Sequence, residues 1–202
     1  MKLLRVGAAI LNQTPLAWDS NENHIAKALT EANAQNVSIL CLPELCITGY
    51  GCEDAFHSTG THEMAWKTLK RLLPQTKGMI VSFGLPIMYQ NSLFNCAALA
   101  VDGELAGLVA KQHLAGDGIH YEPRWFKSWP SGVRKLFEKD GNEYPIGDLF
   151  FECGGIRIGF EICEDAWVAA RPGAALAQQG VDVIMNPSAS HFAFDKIRTR
   201  ER

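Results

Sequence analysis

The amino-acid sequence predicts a single α/β domain whose sheets are covered by helices, and three observations carry that prediction. Short apolar runs of strand character alternate with stretches whose apolar residues recur at helical spacing. One dipeptide, Asp102-Gly103, stands between two apolar runs and sets a tight hairpin into this alternation, because Gly tolerates positive φ. The chain has 202 residues, 47% hydrophobic and 20% charged, enough to bury one substantial core.

In order, Leu3 to Leu11 reads as a first strand; Arg5 and Gly7 interrupt it and no small-residue cleavage site follows, so it does not read as a signal peptide. Asn21 to Ala34 carries Ile25, Leu29 and Ala32 at helical spacing behind a Ser20-Asn21 cap. Val37 to Leu42 is a second strand, stopped by Pro43, which places Glu44 just past its carboxyl end. Thr61 to Leu73 is helical, with Met64, Leu69, Leu72 and Leu73 toward a core, and Gly78 to Gly84 is a short buried strand. Leu93 to Val101 and Leu105 to Lys111 flank the Asp102-Gly103 turn. From Gln112 to Gly147 the chain reads as irregular and aromatic, with Pro123, Trp125, Phe126, Trp129 and Pro130; a long unpatterned stretch in a compact domain points to function. Leu149 to Cys153 and Ile156 to Cys163 are strands, Ala169 to Gln179 a helix, and Val181 to Met185 a last strand. There is no internal repeat and no low-complexity segment.

Composition excludes several classes. A net charge of -3 with scattered Lys and Arg supplies no basic field for nucleic acid, which leaves a small molecule or a protein as partner. No apolar run approaches the roughly 20 residues that span a bilayer, so a soluble protein is expected, and the cysteine usage makes a cytoplasmic one the expectation. The cysteines Cys41, Cys46, Cys52, Cys96, Cys153 and Cys163 have no C-x-x-C spacing and read as reduced thiols, at most one of them reactive. His57, His62, His113 and His120 lack the clustering of a metal site and read as surface histidines. No Gly-rich dinucleotide or phosphate loop occurs.

Glu44, Lys111 and Cys163 each fall at the carboxyl end of an apolar strand: ILCLPE, LAGLVAK and IRIGFEIC. Ligands of open α/β sheets collect beyond such ends, so three residues far apart in sequence converge if the strands do. Their chemistry suits one site. A carboxylate takes a thiol proton, an ammonium favours the thiolate and steadies negative charge on a substrate oxygen, and an attacked amide gives a thioester plus ammonia. Each also has a plain reading. Cys163 is then a small buried hydrophobe, Glu44 a turn or cap acid, and Lys111 the charged tip of a strand.

CLPELCITGY, KQHLAGDGIHYEPRWF and GFEICEDAW, in that order, resemble the three signature blocks of the carbon-nitrogen hydrolase (nitrilase) superfamily. With NPSASH following, the second and third blocks are similar to the glutaminase domains of glutamine-dependent NAD synthetases, and the resemblance covers essentially residues 1–202. It implies a four-layer α-β-β-α sandwich, incomplete at its C-terminus, with Glu44 as general base, Lys111 as electrophilic partner and Cys163 as nucleophile. Glu122 matches a second glutamate that hydrogen-bonds the lysine, and the Glu164 backbone N–H joins Lys111 as the oxyanion site. For the substrate, L-glutamine, Tyr50 matches a pocket tyrosine, and Glu164 and Ser190 match residues holding the amino and carboxylate ends. Asp117 and Lys196 stand where some relatives place a tyrosine or arginine.

The implied reaction is glutamine hydrolysis to glutamate and ammonia without a cofactor in this domain. The ammonia would serve conversion of deamido-NAD to NAD by a separate domain that uses ATP and magnesium, in a homo-oligomer. The Ser-Gly-Gly phosphate motif of that domain is not in this sequence, so the chain reads as the N-terminal portion of a longer protein. The alternatives are a stand-alone amidase or nitrilase of the same fold, and a non-catalytic fragment.

Overall fold

The computed structural model describes residues 3–191 and 193–200. Among them the chain forms β1 (Val6–Ala8), α1 (Trp18–Ala34), β2 (Ile39–Cys41), α2 (Thr59–Leu72), β3 (Ile80–Tyr89), β4 (Ser92–Val101), β5 (Glu104–Ala110), α3 (Glu122–Trp125), β6 (Arg134–Lys139), β7 (Asn142–Gly147), β8 (Phe151–Cys153), β9 (Ile156–Phe160), α4 (Pro172–Gln178), β10 (Val183–Met185) and α5 (Lys196–Arg200). A seven-stranded sheet runs β1-β2-β3-β4-β5-β7-β6, and a three-stranded sheet runs β10-β9-β8. Pairing is parallel for β1–β2, β2–β3, β5–β7 and β9–β10, and antiparallel elsewhere.

The layers follow from the two-residue period of the strands. In β4, Cys96, Ala98 and Ala100 join Ile25, Leu29, Leu69 and Leu72 of α1 and α2 in the larger core. The alternate residues Ala97 and Leu99, with Val109 of β5, meet Ile158, Phe160 and Met185 of the small sheet in a second core. On the far side of the small sheet α4 packs on β9, where a Cβ on Gly159 would stand 2.7 Å from Leu176. The order helices, large sheet, small sheet, helix is the expected four-layer sandwich. Among the described residues no helix is long and apolar enough to cross a membrane.

Several local expectations are corrected. Between 112 and 147 the chain is not irregular throughout: β6 and β7 form a hairpin across Asp140 and Gly141, whose φ values are 51° and 74°. This second Asp-Gly turn carries the same signal as the first, but Tyr144 and Pro145 beside charged residues hid the strand pattern. The first strand pairs only over Val6–Ala8. Helix α1 begins at Trp18, so Asn21 lies inside it; its buried amide bonds Thr14 on both backbone groups and ties the preceding loop to the helix. Met64 is on the exposed side of α2, at 36% accessibility. His62 is buried in α2 with a ring nitrogen on the Phe56 carbonyl, and is no surface histidine.

Candidate active site

The site caps the end of the core between the sheets. Asn95 shares a strand face with Ala97 and Leu99, Lys111 continues the alternation set by Val109, and Ile162 leads from that core into the turn bearing Cys163.

Glu44 follows β2 in a turn held against β3. A Cβ on Gly84 would lie 2.1 Å from the Leu45 nitrogen and 2.6 Å from the Pro43 carbonyl, so glycine is what lets this turn sit on the sheet. Leu45 has φ 50°. Lys111 extends the β4–β5 ladder through its N–H to the Asn95 carbonyl at 2.9 Å, and its own carbonyl accepts the Trp129 N–H at 3.0 Å. Trp129 packs on Tyr89 and Phe94, so the aromatic segment acts as a strap behind the lysine.

The Lys111 ammonium lies between two buried glutamates. It donates to Glu44 Oε1 at 2.6 Å and to Glu122 Oε1 and Oε2 at 2.8 Å each. Lys111 and Glu122 have no exposed surface and Glu44 retains 2%, so this is an ion triad removed from water. Burial works against the ammonium charge, but Glu44 and then Glu122 outweigh it and hold the lysine above its ordinary pKa. Glu122 is pushed up by burial and by Glu44, against the pull of Lys111. Its Oε2 accepts the Ala115 N–H at 2.8 Å and its Oε1 the Tyr50 hydroxyl at 2.9 Å. The two Glu122 oxygens can share one ammonium N–H, and with a second on Glu44 that arrangement would free the third for an incoming oxygen.

Cys163 opens a short turn, Cys163–Ala166, with φ 47°, a left-handed conformation that a non-glycine residue adopts only under constraint. The constraint is visible. Its N–H is held by the Pro187 carbonyl at 3.0 Å, and Asp165 accepts the Ile162, His113 and Gln112 N–H groups at 2.9, 2.7 and 3.2 Å. Asp165 therefore links the Cys163 turn to the residues just after Lys111. Burial raises its carboxyl to about 6 against those three donors.

Burial also pushes the Cys163 thiol up to about 12, with Glu44 raising it further, partly through a side-chain hydrogen bond, and Lys111 opposing. The resting sulfur is thus protonated. Lys111 acts in the expected direction, toward the thiolate, but burial and Glu44 outweigh it, which leaves a neutral thiol next to a carboxylate able to take its proton.

The segment after β10 closes the site: Ala189 donates its N–H to Glu44 Oε2 at 3.1 Å. A cavity of about 300 Å³ beside Glu44 is lined by Tyr50, Ala189 and Ser190. Lys196 donates to Ser190 Oγ at 2.6 Å, and both line an adjoining cavity of about 500 Å³. Glu164 is half-buried in the first turn after Cys163, while Asp117 stands exposed in a turn, and neither lines these cavities.

Sequence reasoning missed four groups here. Asn95 donates from Nδ2 to Glu44 Oε1 at 2.8 Å. Asp165 and the Ala189 N–H are the second and third. The fourth is His120, whose Nδ1 lies 3.1 Å from the Tyr50 hydroxyl and whose Nε2 lies 2.9 Å from His191 Nδ1; it is a partner of the pocket tyrosine, not a free surface histidine. The one legible signal was Asn95, a lone amide within the apolar run LFNCAALAV.

Residues 5–198 match the family described as carbon-nitrogen hydrolase. Glutamine-dependent NAD(+) synthetase of Oryza sativa subsp. indica is 32% identical over 99% of this chain and 29% of its own length. The Arabidopsis thaliana enzyme of the same name is 33% identical over 99% and 29%. The crystal structure of a glutamine-dependent NAD(+) synthetase from Cytophaga hutchinsonii superposes with TM-score 0.91 at 42% identity, over 98% of this chain and 32% of that one. An amidase from Nesterenkonia sp., 20% identical with TM-score 0.75 over 96% of this chain and 68% of its own, shares the fold. The chain thus spans about 30% of the length of the synthetases it matches. A match along nearly all of the sequence, on a four-layer sandwich with its charged groups at strand ends, makes this chain a member of the carbon-nitrogen hydrolase family.

Proposed function

We propose that this chain hydrolyses the side-chain amide of L-glutamine through a Cys163 thioester, as the ammonia-producing domain of a longer polypeptide. The observation that carries the reading is the meeting of a conformationally constrained thiol with a buried carboxylate held by an ammonium, an amide and a backbone N–H. Glutamine is the amide preferred because relatives and structural neighbour alike are named glutamine-dependent NAD(+) synthetases. The cavity beside Glu44 adds Tyr50 and Ser190 as polar groups for the substrate's amino-acid end, and Asp117, Glu164 and Lys196 are assigned to the same pocket once it is filled.

Glu44 Oε1 accepts from both Lys111 and Asn95, whereas Oε2 accepts only the Ala189 N–H and keeps a lone pair, so Oε2 is taken as the oxygen that accepts the thiol proton. As that proton moves, Sγ bonds to the amide carbon and the carbonyl electron pair shifts to oxygen, where the third Lys111 N–H and the Glu164 N–H stabilise it. Collapse breaks the C–N bond, Glu44 returns the proton to the leaving nitrogen, and ammonia departs from the thioester. Water then gives a proton to Glu44 and its oxygen to the acyl carbon. The C–S bond breaks, the thiolate recovers its proton, and glutamate leaves. In the longer polypeptide the ammonia would serve the conversion of deamido-NAD to NAD at a separate domain using ATP and magnesium.

The test is turnover of glutamine against asparagine, acetamide and simple nitriles. Glutamine preference abolished by Cys163→Ala is expected, together with retention of ammonium-dependent NAD formation by the full polypeptide. Equal turnover across the panel would instead favour a general amidase, and retained glutamine hydrolysis in Cys163→Ala would remove the thioester.

A further inference from the structure

We infer that Asn95 is a positioning residue for the general base: with Lys111 its amide fills Glu44 Oε1, and so leaves Oε2, which takes only the Ala189 N–H, as the proton acceptor. The inference rests on the amide-hydrolysis reading above. Asn95 Nδ2 donates to Glu44 Oε1 at 2.8 Å and stands 3.5 Å from Glu122 Oε1. Both neighbours are carboxylate oxygens near a single ammonium, so the amide nitrogen, the half that donates, must face them. The backbone of the same residue accepts the Lys111 N–H at 2.9 Å, so Asn95 holds the lysine's strand end as well as the acid the lysine serves.

Packing alone does not account for an amide here. Leu93, Phe94, Cys96 and Ala97 around it are buried and apolar, and Asn95 itself is 1% exposed. Its Oδ1 has no hydrogen-bond partner among the described residues. An unmatched buried carbonyl is costly, and an apolar side chain of similar size would avoid that cost. What such a side chain lacks is the donor on Glu44. A donor to the ionised form favours the carboxylate, and as a neutral group it does so without adding a second cation to compete with Lys111 for the two glutamates.

Two variants in the full polypeptide test this. Asn95→Leu keeps the volume and removes the donor. The expected result is a fall of about 100-fold in kcat, the scale of a misplaced reacting group, with KM within about threefold and the acid limb of the kcat/KM profile moved to higher pH. Asn95→Asp keeps the shape and donates only while protonated. The groups facing it are Glu44, Glu122 and Lys111, with Cys163 and Tyr50 beyond them, so its activity relative to wild type should fall as pH rises. An Asn95→Leu enzyme whose acid limb stays in place would overturn the inference; if that variant does not fold, an Asn95→Asp profile parallel to wild type overturns it equally. Should wild type not hydrolyse glutamine, that reading fails separately. The same limb can then be followed through alkylation of Cys163 by iodoacetamide, quantified on its peptide.

Discussion

The two sheets hold their shares of the site in different ways. At the end of the seven-stranded sheet, Glu44, Lys111 and, through the following loop, Glu122 are fixed by one another's charges and lie almost wholly out of water. At the end of the three-stranded sheet, Cys163 is fixed by the backbone, through the Pro187 carbonyl and through Asp165 gripping the amides on either side of the cleft. A third buried glutamate, Glu161, sits on this side and differs again. It pairs one-to-one with Arg171, whose Nε donates at 2.7 Å, and accepts the Gly173 N–H at the start of α4. The contrast teaches where reactivity is stored. A pair that balances its charges serves packing, whereas one ammonium between two carboxylates leaves a base available.

Breaking the large-sheet side should have the largest effect. Lys111→Met retains the stem but strands two buried carboxylates, so turnover should fall by more than about 1,000-fold, and unfolding free energy by about 3–5 kcal/mol. Melting curves at pH 5 and pH 8 separate the terms: the stability loss should be smaller at pH 5, where Glu122, already pushed up by burial and by Glu44, takes a proton more readily. Near-normal turnover would end the electrophilic role.

On the small-sheet side, Asp165→Asn preserves shape but cannot accept from all three amides. We expect turnover to drop by about 10- to 100-fold through misplacement of Cys163, with glutamine KM little changed and a moderate stability loss. Unchanged kcat in a folded variant would mean that the Cys163 turn is held without Asp165.

The smallest effect on chemistry is expected at the balanced pair. Glu161→Gln should cost about 1–3 kcal/mol of stability through the α4 start and the Arg171 contact, while kcat stays within about threefold of wild type. A loss of turnover at unchanged melting temperature would show that Glu161 belongs with the reacting groups, and would break the distinction between the two sides.

Much of this was legible without coordinates. Glu44 after Pro43, Lys111 at the end of a hairpin strand and Cys163 at the end of IRIGFEIC could each be placed at a strand terminus from hydrophobic pattern and turn chemistry, and the Asp102-Gly103 hairpin stood where expected. The β6–β7 hairpin was less legible because its residues lie mostly toward solvent, so burial imposes little alternation on Arg134–Lys139.

The sequence by itself determined which residue types end which strands, because strand periodicity and turn preference are local properties of the chain. Only the tertiary structure decided how those ends share charge: that Lys111 lies between Glu44 and Glu122, that Asn95 occupies one oxygen of the base, and that Asp165 and Ala189 reach across the cleft with backbone and side-chain bonds. The physical reason is that ionisation and hydrogen-bond satisfaction depend on what surrounds a group in space. Burial can outweigh what a neighbour contributes, as at Cys163, where the loss of water and the nearby Glu44 raise the thiol against the pull of the adjacent ammonium.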